Sequence, residues 1–127
     1  MNLKIESIDL DFTICKVKEY GGACFDSEFA FACKTDNEKS LVCPTSDVPP
    51  NTTAREDGWR MFRIVGTLDF SLVGILAEIS KVLADNGIGI FAVSTFDTDY
   101  ILTKKENMPS AIKALRENGF DTETLEE

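Results

Sequence analysis

Ser71-Leu-Val-Gly-Ile-Leu-Ala-Glu-Ile-Ser-Lys-Val-Leu-Ala-Asp-Asn-Gly-Ile-Gly-Ile-Phe-Ala-Val-Ser-Thr95 changes its hydrophobic period partway along. Leu72, Ile75, Leu76, Ile79, Val82 and Leu83 recur at three and four, which is one apolar stripe of an α-helix, while Glu78, Lys81 and Asp85 fall outside it. The spacing predicts a helix that starts near Ser71 and runs about sixteen residues, close to four turns. Asn86-Gly87 follows the last apolar position, where a left-handed cap belongs. From Ile88 to Thr95 the residues are β-branched and aromatic, as in a strand.

The flanks complete the pattern. Upstream, Trp59 to Val65 supplies a strand through Met61, Phe62, Ile64 and Val65, and Gly66 turns out of it. Downstream, Phe96 to Asp99 reads as a turn and Tyr100 to Lys104 as its returning strand. Asn107 then caps a second helix in which Met108, Ala111, Ile112 and Leu115 align, with Pro109 in the first turn and Asn118-Gly119 at the end. Thr122 to Leu125 forms a short last strand. Strand, helix, strand, strand, helix, strand over residues 59–125 is the ferredoxin-like split βαβ order, an α+β fold with two helices on one face of an antiparallel sheet. About sixty residues make a marginal core, so the first third is expected to extend or cover that sheet.

That first third is β-rich. Asp11 to Val17 and Phe29 to Thr35 alternate as half-buried strands, Asp36-Asn37-Glu38-Lys39 is a turn, and Ser40 to Cys43 returns. Tyr20-Gly21-Gly22-Ala23 is a loop where a helix would otherwise stand, and Pro44 to Gly58, with Pro44, Pro49 and Pro50, is a polar connector. The expected division is a β-rich half with its connector at 1–57 and a βαββαβ domain at 58–127.

Composition narrows the chemistry. The 127 residues hold 22 acidic and 13 basic side chains, a formal charge of −9 and no histidine. Histidine-based catalysis is excluded, and a field of this sign repels phosphate backbones and anionic lipid while tolerating cationic or zwitterionic ligands. No nucleic acid and no membrane is expected as partner. No apolar run approaches the ~20 residues of a membrane span, and Met1 to Asp11 has acidic residues where a signal peptide has its apolar stretch, which reads as cytoplasmic. Cys15, Cys24, Cys33 and Cys43 fall singly, without a CxxC pair, so no metal site or cofactor is expected and Cys15 and Cys33 read as small buried hydrophobes. Cys24 beside Gly21-Gly22 has no base to activate it, and the chain reads as a non-enzyme.

The loop Gly66-Thr-Leu-Asp-Phe-Ser-Leu-Val-Gly74 hands a strand to a helix. A helix starting there leaves N–H groups at Leu72, Val73 and Gly74 only partly met by a Ser71 cap, and such an end accepts a carboxylate. From the loop alone the commoner arrangement is that Asp69 or Ser71 simply caps the helix. Asp97 and Asp99 favour a cationic side chain nearby or merely form their turn.

Leu68-Asp-Phe-Ser-Leu-Val-Gly-Ile-Leu-Ala77, followed by Ala84-Asp-Asn-Gly-Ile-Gly-Ile-Phe-Ala-Val-Ser-Thr-Phe-Asp-Thr-Asp-Tyr-Ile-Leu102, resembles an ACT domain, in the branch that holds the regulatory domains of aspartate kinases and the cytosolic arginine sensors of the CASTOR type. The resemblance covers residues 58–120, with a degenerate ACT-like half before it. It implies a regulatory domain that binds a small molecule, usually an amino acid, at an interface between two ACT units. Carried onto this chain, the implied ligand positions are Asp69, Phe70, Ser71, Leu72, Val73 and Gly74 in the loop and Ile90, Phe91, Ala92 and Ser94 on the second strand. In the arginine-sensor branch Thr95, Phe96, Asp97, Thr98 and Asp99 join them. Asp69-Phe70-Ser71 stands where aspartate-kinase domains often have an Arg/Pro-Gly turn, which leaves the ligand open.

The expectation is a stand-alone amino-acid-binding regulatory module, most simply a homodimer, whose effect is exerted on a partner enzyme. The alternative is the same fold with an empty site, used only for dimerisation or to contact that partner.

Overall fold

The computed structural model describes residues 4–65 and 74–125. Its strands are β1 (Lys4–Val17), β2 (Phe31–Lys34), β3 (Lys39–Pro44), β4 (Thr52–Val65), β5 (Phe91–Ser94), β6 (Asp99–Lys104) and β7 (Asp121–Leu125), and its helices are α1 (Ile75–Asp85) and α2 (Met108–Glu117). The chain divides into two compact units, one of Met1–Asp9 with Arg60–Glu127 and one of Leu10–Trp59.

In the first of these, β4, α1, β5, β6, α2 and β7 follow in the expected ferredoxin-like order. The helices bury Ile75, Ile79 and Leu83 from α1 and Ala111 and Leu115 from α2 against Ile5, Phe62, Ile64 and Ile101 of the strands, one apolar cluster that carries most of this unit's burial. Both helices stop by the same device. Gly87 N–H donates to Ala84 O at 3.0 Å and Ile88 N–H to Leu83 O at 2.9 Å; Gly119 and Phe120 do the same to Arg116 and Leu115, each at 3.1 Å. These are Schellman ends, and the residue after each glycine, Ile88 or Phe120, is buried as the motif requires.

Three boundaries differ from the sequence reading. α1 begins at Ile75, because Gly74 ahead of it lies at φ +91°, outside helical geometry. Among the described residues the N–H groups that open the first turn of α1 are those of Ile75, Leu76 and Ala77; Leu72 and Val73 lie outside the described residues. The sheet is also not purely antiparallel: β7 pairs parallel with the first half of β1, from Lys4 opposite Asp121 to Ile8 opposite Leu125. Finally, Pro44 to Gly58 is only partly connector, since β4 begins at Thr52 and Thr45–Asp47 forms a 3-10 turn.

The second unit repeats the plan without its helices. Its strand order is β2-β3-β1-β4, with a 3-10 turn at Gly22–Phe25 where one helix would stand and the Thr45–Asp47 turn where the other would begin. Phe31 to Pro49 corresponds residue for residue to Phe91 to Pro109, sixty positions on, sharing Phe, Ala, Thr and Pro. The geometry follows: Phe31 pairs with Val42 and Phe91 with Leu102. Thr35 N–H donates to Glu38 O at 2.9 Å, and Thr95 N–H to Thr98 O at 2.8 Å. The copies part at Pro49-Pro50, where the second proline removes another donor and Thr52-Thr53 favours a strand, whereas Met108-Pro109 leads into α2.

This unit has its own core of Cys15, Val17, Cys24, Leu41 and Cys43 with Tyr20 and Val48 against it. The Tyr20 hydroxyl lies 2.8 Å from Ser40 O and 3.1 Å from Cys33 O. Thr13, fully buried, donates to Asp57 Oδ1 at 2.6 Å and meets Thr45 Oγ1 at 2.9 Å. That hydroxyl, and then Arg55, hold the Asp57 carboxyl below its ordinary pKa.

Candidate functional site

The far end of the β5–β6 hairpin collects six of the residues singled out above. Ser94 pairs with Asp99 as the last rung of the ladder, and its hydroxyl donates to Asp99 Oδ1 at 2.5 Å. Beyond the rung, Thr95 closes the turn twice: its N–H and its hydroxyl both reach Thr98 O, at 2.8 and 3.0 Å. The Thr98 hydroxyl in turn donates to Ile64 O on β4 at 2.7 Å. The turn is thereby tied to the strand from whose end residues 66–73 depart. Phe96 stands wholly in solvent at the tip, with Asp97 exposed beside it.

On β5, Ala92 and Ser94 are exposed and Phe91 is half-buried, while Ile90 packs against the helix cluster. Gly74 lies at the start of α1, where the segment arrives. Asp69, Phe70, Ser71, Leu72 and Val73 lie outside the described residues.

One carboxylate oxygen of Asp99 is occupied by Ser94, which fixes the group and leaves its other oxygen as an acceptor. The Thr95 N–H and hydroxyl are already paired within the turn and the Thr98 hydroxyl with Ile64 O, so the site offers a held carboxylate with a second one, Asp97, close in sequence. Such a pair accepts an ammonium or a guanidinium. The anchor that makes this geometry, Ile64 O, escaped the sequence reading because a main-chain acceptor has no residue signature. The threonine shared by both copies of the repeat, Thr35 and Thr95, marks the turn but not this anchor, since Thr98 has Glu38 as its counterpart.

Three of the four thiols are withdrawn from solvent. Cys15, Cys24 and Cys43 are buried, and only Cys33 is exposed, contrary to its reading as a buried hydrophobe, because β2 ends its strand order. Burial raises the Cys15 thiol and pushes Cys43 up to about 12, so both stay protonated at neutral pH. Among the described residues no group of three His, Cys, Asp or Glu side chains is arranged to hold a metal ion, and no helix is long and apolar enough to cross a membrane.

With this geometry in place, the likeness to known proteins becomes informative. The sequence pattern of the ACT domain matches residues 54–117. The human cytosolic arginine sensor for mTORC1 subunit 1 is 36% identical over 66 residues, which is 51% of this chain and 20% of that protein. The chain thus spans about a fifth of the length of the arginine-sensor relatives it matches. A protein of Agrobacterium tumefaciens superposes with a TM-score of 0.90 at 25% identity, over 100% of this chain and 96% of the other. The regulatory subunit of aspartate kinase from Thermus thermophilus shares the fold, with a TM-score of 0.61 at 11% identity over 94% and 98% of the two chains.

Proposed function

This chain belongs to the ACT domain family, and from that premise we propose that it is a regulatory module binding a free α-amino acid, with the β5–β6 turn recognising the ligand and a neighbouring ACT unit closing the pocket. The observation that carries the reading is the Asp99 carboxylate, held by Ser94 in a turn anchored to Ile64, with Asp97 two residues away. A carboxylate immobilised in this way loses little further freedom when an ammonium or guanidinium docks, which is where binding otherwise loses much of its gain. The first-turn N–H groups of α1 suit the ligand's carboxylate. The arginine-sensor relatives bear on the same point, since a cationic amino acid suits two aspartates and a chain of charge −9. In this reading the chain carries no catalysis of its own and acts on a partner enzyme from the cytoplasm, as a homodimer.

A thermal-shift series with each of the twenty amino acids tests it. Ligand at a hundredfold excess over Kd stabilises by about 2.7 kcal/mol, which raises the melting temperature measurably. One or a few amino acids are expected to do so, and Asp99→Asn is expected to remove the response. If none of the twenty moves the transition at millimolar concentration, the reading fails.

A second reading draws on Phe96. An aromatic ring wholly in water at a hairpin tip suits burial against another protein, as in a ligand-free dimerisation or interaction module. Under that reading Phe96→Ser weakens self-association or partner binding in light scattering, and Asp99→Asn does not.

A further inference from the structure

The Leu10–Trp59 unit holds an open cleft of about 270 Å³ where the end of β1, the β2–β3 turn and the start of β4 meet, lined among others by Lys16, Lys39, Thr35, Asp36, Glu38 and Thr53. The strand register puts it there. Lys16 pairs with Ser40, so the turn stands just past the end of β1. By the sixty-residue repeat, this turn is the counterpart of Thr95–Asp99. The surroundings differ, because a four-residue 3-10 turn replaces the helix and offers no helix N-terminus.

The side chains of this cleft divide into committed and uncommitted groups. Thr35 Oγ1 accepts the N–H groups of Asn37 and Glu38, at 3.1 and 3.2 Å, and the Glu38 carboxylate accepts the Ser40 hydroxyl at 2.8 Å. Lys39 approaches Glu19 only to 3.9 Å, and Glu19 is largely in solvent. The side chains of Lys16 and Asp36 have no hydrogen-bond or ion-pair partner among the described residues. One cation and one anion thus flank the same small cleft with their charges unspent.

We infer that this cleft is a second small-molecule site, taking a zwitterion of amino-acid size whose carboxylate meets Lys16 and Lys39 and whose ammonium meets Asp36. A dianion is disfavoured by Asp36 and Glu38 and by the overall charge of −9, and a dication by the two lysines. The volume lies below the roughly 300–1,000 Å³ typical of sites for larger ligands, which suits a compact molecule. Since the lysines carry the carboxylate here, in place of main-chain N–H groups, binding weakens as salt rises. The inference stands apart from the proposed role of the β5–β6 turn.

The test is a titration of the full, nitrogen-15-labelled chain, followed through its amide resonances at low salt, with each of the twenty amino acids and with acetate and methylammonium as the two half-charges. At least one amino acid is expected to shift Lys16, Val17, Thr35 to Lys39 and Thr53 together on one saturable curve. Lys16→Ala is expected to weaken that binding roughly threefold to tenfold, whereas the exposed Lys113→Ala leaves it unchanged. Unchanged dispersion elsewhere in the spectrum shows that the Lys16 variant is folded. The inference is overturned if no amino acid moves this set, if acetate alone reproduces the curve, or if Lys16→Ala and Asp36→Asn both leave the affinity intact. Shifts confined to Ser94 through Asp99 overturn the second site and leave the proposed function standing; shifts confined to the cleft do the reverse.

Discussion

Thr98 is bound to Ile64: its hydroxyl donates to that carbonyl at 2.7 Å, joining the β5–β6 turn to the end of β4. The bond spans thirty-four residues of sequence, and it sets where Asp97 and Asp99 stand relative to the strand that leads into residues 66–73. Thr98→Val keeps the shape and removes the donor, so the partly buried Ile64 carbonyl loses this hydrogen bond. The expected cost is about 0.5–1.5 kcal/mol in urea unfolding, together with weaker amino-acid binding. A Thr98→Val protein of unaltered stability would show that the bond contributes nothing to the fold.

Glu6 and Arg63 form a partly shielded ion pair. Arg63 Nη2 and Nε both reach Glu6 Oε1, at 2.7 and 2.8 Å, with the side chains 28% and 14% exposed for Arg63 and Glu6. Burial works against the guanidinium's charge, yet the hydrogen bonds of Tyr100 and Glu6 leave its pKa above the ordinary arginine value. Glu6→Gln removes the countercharge but not the cation. Breaking it is expected to cost about 1–3 kcal/mol, more than Lys81→Ala, whose pair with Asp85 is solvent-exposed. Parallel denaturant curves for the two variants check the order.

Gly74 precedes α1 at φ +91°, and a methyl group built on it meets no atom within 4 Å. The penalty of Gly74→Ala is therefore conformational, without a clash. About 1–2 kcal/mol is expected from the left-handed backbone. If the substitution stabilises the chain instead, the helix starts earlier than Ile75.

These boundaries show what periodicity carries and what it omits. α2 was legible because Pro109 and Gly119 punctuate a clean stripe, and the β5–β6 hairpin because its apolar residues sit on both sides of a polar turn. The start of α1 was not: Leu72 fits the stripe, but the stripe records side chains, and the departure at Gly74 is a main-chain event. The first part of β4 was hidden for a different reason. Residues 53–57 are exposed, so nothing selects apolar alternation there, and only β-branched Thr52 and Thr53 hint at a strand. The repeat of Phe31–Pro49 in Phe91–Pro109 was masked because the two copies share backbone hydrogen bonds more than side chains. Of the candidate site, the hairpin residues were recognisable through family resemblance, whereas the tether to Ile64 was not.

The buried thiols make stability fall at alkaline pH. Cys43 is 1% exposed, and burial, followed by Cys15, Asp47 and Cys24, pushes its thiol up to about 12. In the unfolded chain it titrates near its ordinary value of about 8.5–9. Below that value both states keep the proton and the stabilisation is complete. Between about 9 and about 12 the unfolded chain has lost a proton that the folded chain retains, so stability declines by up to ~1.4 kcal/mol per pH unit. Cys15, whose thiol burial also raises, adds to the decline in the same direction. Cys43→Ala removes the titrating group and leaves a small void, so the variant should be less stable at pH ~8 by about 1 kcal/mol but should lose less on going to pH ~10.5. Lysine and tyrosine titration is common to both proteins and cancels in the comparison. Urea unfolding of each at the two pH values gives the slopes directly; equal slopes would mean that the Cys43 thiol does not remain protonated in the folded protein.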